Sequence, residues 1–256
     1  MFKTKRLYPK TRHTKHLALV TIMSITLWNT ELYAASNQHE NIHFEGHAYS
    51  IDKRILLYTE HHSISLNSQG QYQTGKVTYK TPKGEVFAKK ELDFSDNQLV
   101  PELSFNDSRS QQTTLLTSTP SEIKIEKVQY NDIKKHSINY DTDKLIVADA
   151  GFDRLVIKSW NDLLNKKTIK FQVLTMDRAD LIKFRLNVNE ITNKKLHLSI
   201  SPSNWLIRLL MNPNQLEYDL SSKRLLKFSG LTNISEFING QDQENNYVAS
   251  IEYRYF

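Results

Sequence analysis

Apolar and polar residues alternate with period two along most of the chain: Ile42, Phe44 and Ala48; Val86, Ala88, Leu92 and Phe94; Ile169, Phe171 and Val173; Ile182, Phe184, Leu186 and Val188; Leu196, Leu198 and Ile200. Each series has one apolar and one polar face, the signature of a strand buried on one side. Turn-forming residues separate them at hairpin spacing, as in 67–70 (Asn-Ser-Gln-Gly), 81–84 (Thr-Pro-Lys-Gly), Asn106-Asp107, 141–143 (Asp-Thr-Asp) and 221–223 (Ser-Ser-Lys). Neighbouring strands are therefore expected to pair antiparallel. Residues 54–66 read as one long strand, 215–220 and 224–228 as a hairpin, and 247–255 as a last strand.

Two segments carry the helical period instead. Phe152, Leu155, Val156, Trp160, Leu163 and Leu164 fall on one side of a helix, with Asp153, Arg154, Lys158, Asn161 and Asp162 on the other. Asp149 is placed to cap its first turn, and Lys166 and Lys167 to oppose the negative pole at its end. A shorter helix is expected near 203–211, with Ser203 as cap and Pro213 as stop. The expected fold is mainly β (α+β): a curved antiparallel sheet or open half-barrel with one principal amphipathic helix, near 150–165, packed on its concave face.

The first 35 residues differ from the rest. Lys3, Lys5, Arg6, Lys10, Arg12 and Lys15 precede an apolar run at 17–28, and Tyr33-Ala34-Ala35 follows. This is the layout of a secretory signal peptide, and the run falls short of the roughly 20 residues a spanning helix needs. Cleavage near Ala34/Ala35 would leave 36–256 as a single β domain, exported to a periplasm and without a stable transmembrane span. Leu32 or Tyr33 stands where a small residue is preferred, which leaves an uncleaved anchor as the alternative. The formal net charge of the whole chain is +6, and nearly all of it lies in that leader, which removes the main support for a nucleic-acid partner. With no Cys, the chain has neither disulfides nor a site for lipoprotein acylation; 7 Gly and 6 Pro exclude collagenous or low-complexity classes.

The ordered combination of a long antiparallel sheet, one break at Asp149-Ala-Gly-Phe-Asp153 and Trp160-Asn-Asp-Leu-Leu164, and a late hairpin at 216–228 resembles uncharacterised exported envelope proteins of Gram-negative bacteria. More distantly it is similar in plan to the lipoprotein-carrier half-barrels. The resemblance implies a fold and assigns no functional residue.

Three residue sets bear on chemistry. His43, Glu45 and His47 share one face of the first strand and have the ligand types of a Zn or Cu site, although side chains two apart on a strand stand about 7 Å from each other and a solvated polar face explains them too. Glu60 and His62 share the parity of Leu56, Tyr58, Ile64 and Leu66, so they point inward as a polar ligand anchor or acid–base pair unless a β-bulge at His61-His62 exchanges the faces. Lys183 and Arg185 lie on the polar side of their strand, within a half that carries more cations than anions, and offer a basic face to acidic lipid head groups, glycans or an envelope protein. Asp149 and Asp153 read as helix-start carboxylates. No nucleophile elbow, His-Glu-x-x-His, phosphate loop or cysteine nucleophile occurs, and no cofactor is implied. The first expectation is a non-enzymatic binding or carrier-like protein for an apolar or amphiphilic ligand. The alternatives are an envelope assembly partner using the basic face, and a metal-dependent or acid–base hydrolase.

Overall fold

The computed structural model describes residues 41–256 apart from 131, 142, 177, 205–212 and 239–240. The proposed leader, and most of the helix expected near 203–211, lie outside the described residues.

Eight strands come first: β1 (Asn41–Ser50), β2 (Leu56–Leu66), β3 (Tyr72–Lys80), β4 (Val86–Asp93), β5 (Glu102–Asp107), β6 (Gln112–Ser118), β7 (Glu122–Gln129) and β8 (Asp132–Asn139). Then follow β9 (Ile146–Val147), α1 (Gly151–Lys158), α2 (Trp160–Leu164), β10 (Ile169–Leu174), β11 (Leu181–Ile191), β12 (Lys195–Pro202), β13 (Asn214–Asp219), β14 (Leu225–Ile238) and β15 (Gln241–Tyr255). All fifteen strands form one sheet, ordered from β8 back to β1, then from β15 back to β9. Sequence neighbours pair antiparallel except β9 with β10, which is parallel, and β8 with β9, which do not pair. The first strand pairs with the last, with Phe44 opposite Tyr255 and Ser50 opposite Ala249. The sheet stays open, with β8 and β9 as its edges.

Curvature brings distant strands together across the concave side. Leu92, Leu103, Leu116 and Ile125 from β4 to β7 pack with Ile146 of β9 and Leu174 of β10, so the two flanks of the open sheet share a core. The expected single helix is two short ones, because Ser159 (φ −92°, ψ 9°) interrupts the helical run. Their apolar stripe is buried as its period requires: Leu155, Val156, Trp160 and Leu163 pack on Phe171, Leu186, Leu198 and Tyr218. Each such side chain contributes about 1.5–3 kcal/mol by leaving water. The helix start presses closely on the loop after β4, where a Cβ on Gly151 would lie 1.9 Å from the Leu99 carbonyl oxygen, so only glycine fits.

Several bulges depart from strict alternation, three of them in the strands from β1 to β4. Ala48 pairs with Tyr58 but Tyr49 with Leu56, which leaves Leu57 as an extra residue. Ser65 pairs with Thr74 but Leu66 with Tyr72, leaving Gln73. Tyr79 pairs with Ala88 but Lys80 with Val86, leaving Phe87. The last reverses one expectation: Val86 is exposed while Phe87 and Ala88 are both buried.

Candidate functional site

On β2, the register with β1 and β3 runs unbroken from Thr59 to Ser63, so no bulge falls at His61-His62. Glu60 consequently points to the concave side, between Gly46 of β1 and Tyr79 of β3, and is buried. Its Oε2 accepts a hydrogen bond from the Tyr253 hydroxyl at 3.3 Å and lies 3.0 Å from His62 Nε2. Gly46 makes room for this arrangement: a Cβ there would come within 2.7 Å of the Tyr253 ring and 3.1 Å of Glu60 Oε2. The carboxylate also marks its neighbours. Burial, and next the Glu60 charge, push the hydroxyls of Tyr58, Tyr79 and Tyr253 well above the usual tyrosine range.

Aromatic rings extend from this pair along the next row of the sheet. His62 stacks on Phe44 with centroids 4.2 Å apart, and Phe44 on Tyr255 at 4.8 Å. The exposed Arg224 lies over the Tyr255 ring at 4.8 Å, and Arg154 of α1 over Tyr72 of β3 at 3.8 Å. The surface therefore combines flat apolar faces, half-buried, with a carboxylate and an imidazole at its inner end and guanidinium groups beside it. It can pack an apolar body and hydrogen-bond a polar group.

A second polar cluster joins opposite walls. Lys90 of β4 is buried with its ammonium 2.9 and 2.6 Å from the two oxygens of Asp149, and Asn233 of β14 donates to the same carboxylate at 2.9 Å. The expected capping role of Asp149 is not what the structure has: the N-cap position is Ala150, no side chain caps α1, and Asp149 itself adopts φ +44°. Asp153, read from the sequence as part of the solvent side of the helix, faces the interior and accepts from Tyr218 at 3.1 Å. Burial raises its carboxyl above the ordinary range, against the opposing pull of the Arg154 guanidinium and the Tyr218 and Tyr72 hydroxyls. Lys90 was missed although it shares the parity of Ala88 and Leu92. That lone cation on an apolar face was the signal.

The remaining sequence candidates lie elsewhere. His43, Glu45 and His47 face outward, and His43 is exposed and stands apart from the other two. Glu45 instead lies between His47 at 3.4 Å and His61 at 3.0 Å, because Glu45 pairs directly across from His61. Burial pushes its carboxyl upward, but the two histidines outweigh that and hold it below the ordinary value. Among the described residues no group of three or more such side chains is arranged to hold a metal ion. Lys183 and Arg185 occupy the face of β11 opposite Phe184 and Leu186, across from Gln172 and Lys170. Five strands separate β11 from β2, so they are not gathered with Glu60 and His62. No helix among the described residues is long and apolar enough to cross a membrane.

No family model matches the chain, and no curated protein does. Among solved structures, a beta-barrel-like protein of Domain of Unknown Function DUF1849 from Brucella abortus aligns over 85% of this chain and 96% of its own, at 5% identity and a TM-score of 0.40. A porin-like protein from Bacteroides uniformis aligns over the same shares at 9% identity and a TM-score of 0.26. Neither is described as a lipoprotein carrier, so the similarity to that family expected from the sequence finds no support in them, and likenesses this distant carry no argument about function. What stands is an open, barrel-like antiparallel sheet, on the strength of its own strand order.

Proposed function

We propose that this chain is an exported, periplasmic, non-enzymatic binding protein that holds an amphiphilic ligand against the Phe44–His62–Tyr255 surface, with Glu60 and His62 anchoring its polar part. One observation carries the reading. Glu60 is a buried carboxylate whose partners are an imidazole and a phenol, while the buried ammonium of Lys90 is committed to Asp149. Taking a carboxylate out of water costs several kcal/mol, and stability alone is better served by an apolar residue at such a position. Rings flanking it supply the apolar contact that an amphiphile needs. Export rests on the tripartite leader of the sequence.

Native mass spectrometry of protein released gently from cells, without detergent, tests the binding. The expected result is a retained small amphiphile that is lost or reduced in Glu60→Gln and His62→Ala, with circular dichroism unchanged. A chain that retains nothing and does not bind a fluorescent lysophospholipid overturns the reading. Intact mass of the same material tests export: loss of the first 34 or 35 residues is expected, and a full-length cytoplasmic product refutes it.

A further inference from the structure

The buried carboxylate on β2 has an oxygen to spare. Both close contacts of Glu60 fall on Oε2, which accepts from the Tyr253 hydroxyl at 3.3 Å and lies 3.0 Å from His62 Nε2. Oε1 takes no hydrogen bond among the described residues and, unlike Gln172 Oε1 and Ser250 Oγ, is not sealed from water. An ionised carboxylate accepts hydrogen bonds and donates none, so whatever meets Oε1 must bring a hydrogen.

No fixed cation of the protein meets it. The Lys90 ammonium is held by Asp149 at 2.6 Å and the Arg154 guanidinium by Asp153 at 3.3 Å. His62, the one cationisable group in contact with Glu60 among the described residues, is directed at Oε2. Burial, and next the Glu60 charge, keep the Tyr58 and Tyr79 hydroxyls protonated. Attraction between a carboxylate and a cation grows as the surroundings lose water, and so does the repulsion of a second anion. Space at this point is narrow. Glu60 is 6% exposed, and a single carbon added to Gly46, directly across from it, would stand 2.7 Å from the Tyr253 ring and 3.0 Å from Ile251. A primary ammonium is compact and carries three hydrogens, which suits such an approach; a trimethylammonium is wider and has no hydrogen to donate.

We propose that the ligand of this surface is a primary amine with an apolar body, its ammonium donating to Glu60 Oε1. The body lies along the ladder of His62, Phe44 and Tyr255, whose successive rings are 4.2 and 4.8 Å apart. Charge at the two ends of the ladder fixes the direction of binding. Glu60 stands beside His62 at the inner end, and the exposed Arg224 lies over Tyr255 at the outer one, 4.8 Å from its ring centre, so an ammonium is drawn inward and repelled outward. The assignment rests on the binding role proposed above and adds to it the chemical class of the ligand.

Four ten-carbon probes test the two separately: decylamine, decyltrimethylammonium, decanol and decanoate, each titrated calorimetrically at submicellar concentration into the full protein near neutral pH. Decylamine is expected to bind roughly tenfold or more tightly than the other three. In Glu60→Gln that advantage is expected to vanish while decanol binds as before, with circular dichroism unchanged. A protein that binds none of the four loses the binding role itself, and the amine assignment with it. Equal binding of all four, or a preference for decanoate, leaves the binding role standing and overturns the amine. A preference for decylamine that survives in Glu60→Gln also overturns it, by placing the cation elsewhere. Equal affinity for decyltrimethylammonium refutes the hydrogen bond to Oε1. The ranking in the unaltered protein needs no variant, so it decides the question even if Glu60→Gln fails to fold.

Discussion

Buried charge is where single residues decide most in this chain. Lys90 and Asp149 are 59 positions apart, on a strand and in the loop before α1, and their side chains are 5% and 12% exposed. Removing one partner leaves the other charged in a poor solvent, so Lys90→Met is expected to lower unfolding free energy by about 3–5 kcal/mol in urea melts, and Lys90→Met/Asp149→Asn by clearly less. A loss under about 1 kcal/mol for the single variant would show that Asp149 finds water or another donor. Two other carboxyls act on stability with opposite sign. Asp219, bonded by the amides and hydroxyls of Ser221 and Ser222, has its pKa lowered from 3.8 to about 2. Its stabilisation is present above the unfolded value and lost as pH falls through the folded one. Burial raises Asp153 above the ordinary aspartate value, so its contribution is greatest at acid pH and is lost as ionisation is forced. Accordingly, Asp219→Asn should lose its deficit relative to the parent on approaching about pH 2, whereas Asp153→Asn should gain on the parent as pH rises from about 3 to about 7. Chemical melts from about pH 2 to about pH 7 check both, and parallel profiles would refute both assignments. From sequence, the inward parity of Glu60 was one of two open readings, because period two fixes it only where no bulge intervenes, and the absence of one at His61-His62 is set by the pairing with β1 and β3. The partners of Lys90 and Asp153 were not legible, since they come from walls that meet only after the sheet bends.

At the level of elements, amphipathic period located the helical region within a residue or two, and alternation located β10, β11 and β12. The bulges at Leu57, Gln73 and Phe87 escaped it, because each is set by the fit of two strands and leaves no mark on either one alone. The long β14–β15 hairpin was read as shorter for a related reason. Its distal half is polar, and its pairing is interrupted between Leu231 and Ser235 and again before Phe237. Helix α2 ends in a feature that sequence reading credited to charge. The Lys167 amide donates to the Asp162 carbonyl at 2.9 Å and the Lys166 amide to Leu163 at 2.8 Å, while Lys166 adopts φ +57°. That pattern is a Schellman stop with lysine where glycine is preferred. Lys166→Gly should therefore stabilise the fold by up to about 1 kcal/mol, the relief of a left-handed side chain outweighing the added freedom of the unfolded glycine. A lower melting temperature for this variant would show that the Lys166 side chain contributes more than its backbone costs.

The order of the whole sheet was only half legible. Local turn signals imply that neighbours pair, and all but β8 and β9 do; nothing in a turn announces that β1 closes against β15, or that the opening falls between β8 and β9. That closure has a kinetic consequence. Pairing Phe44 with Tyr255 joins residues from the two ends of the described chain, and Phe256 donates its amide to the His43 carbonyl at 3.1 Å. Such a contact must overcome the closure entropy of almost the entire polypeptide before any reward is gained, and folding rate falls as mean contact separation grows. The segment between β8 and β9, by contrast, belongs to no strand pairing, and Asp141 and Asp143 in it are exposed, so cutting the chain there breaks no strand pairing. A circular permutant that begins at 143, runs to 256, crosses a short Gly/Ser linker to 41 and ends at 141 would present the sheet in spatial order, from β9 to β15 and then from β1 to β8. Every strand pairing would then be local. Stopped-flow refolding is expected to be faster than in the parent by an order of magnitude or more, with the urea midpoint little changed. Equal refolding rates would mean that the β1–β15 closure follows the rate-limiting step, placing the barrier instead in the bending that brings β4 to β7 onto β9 and the helices.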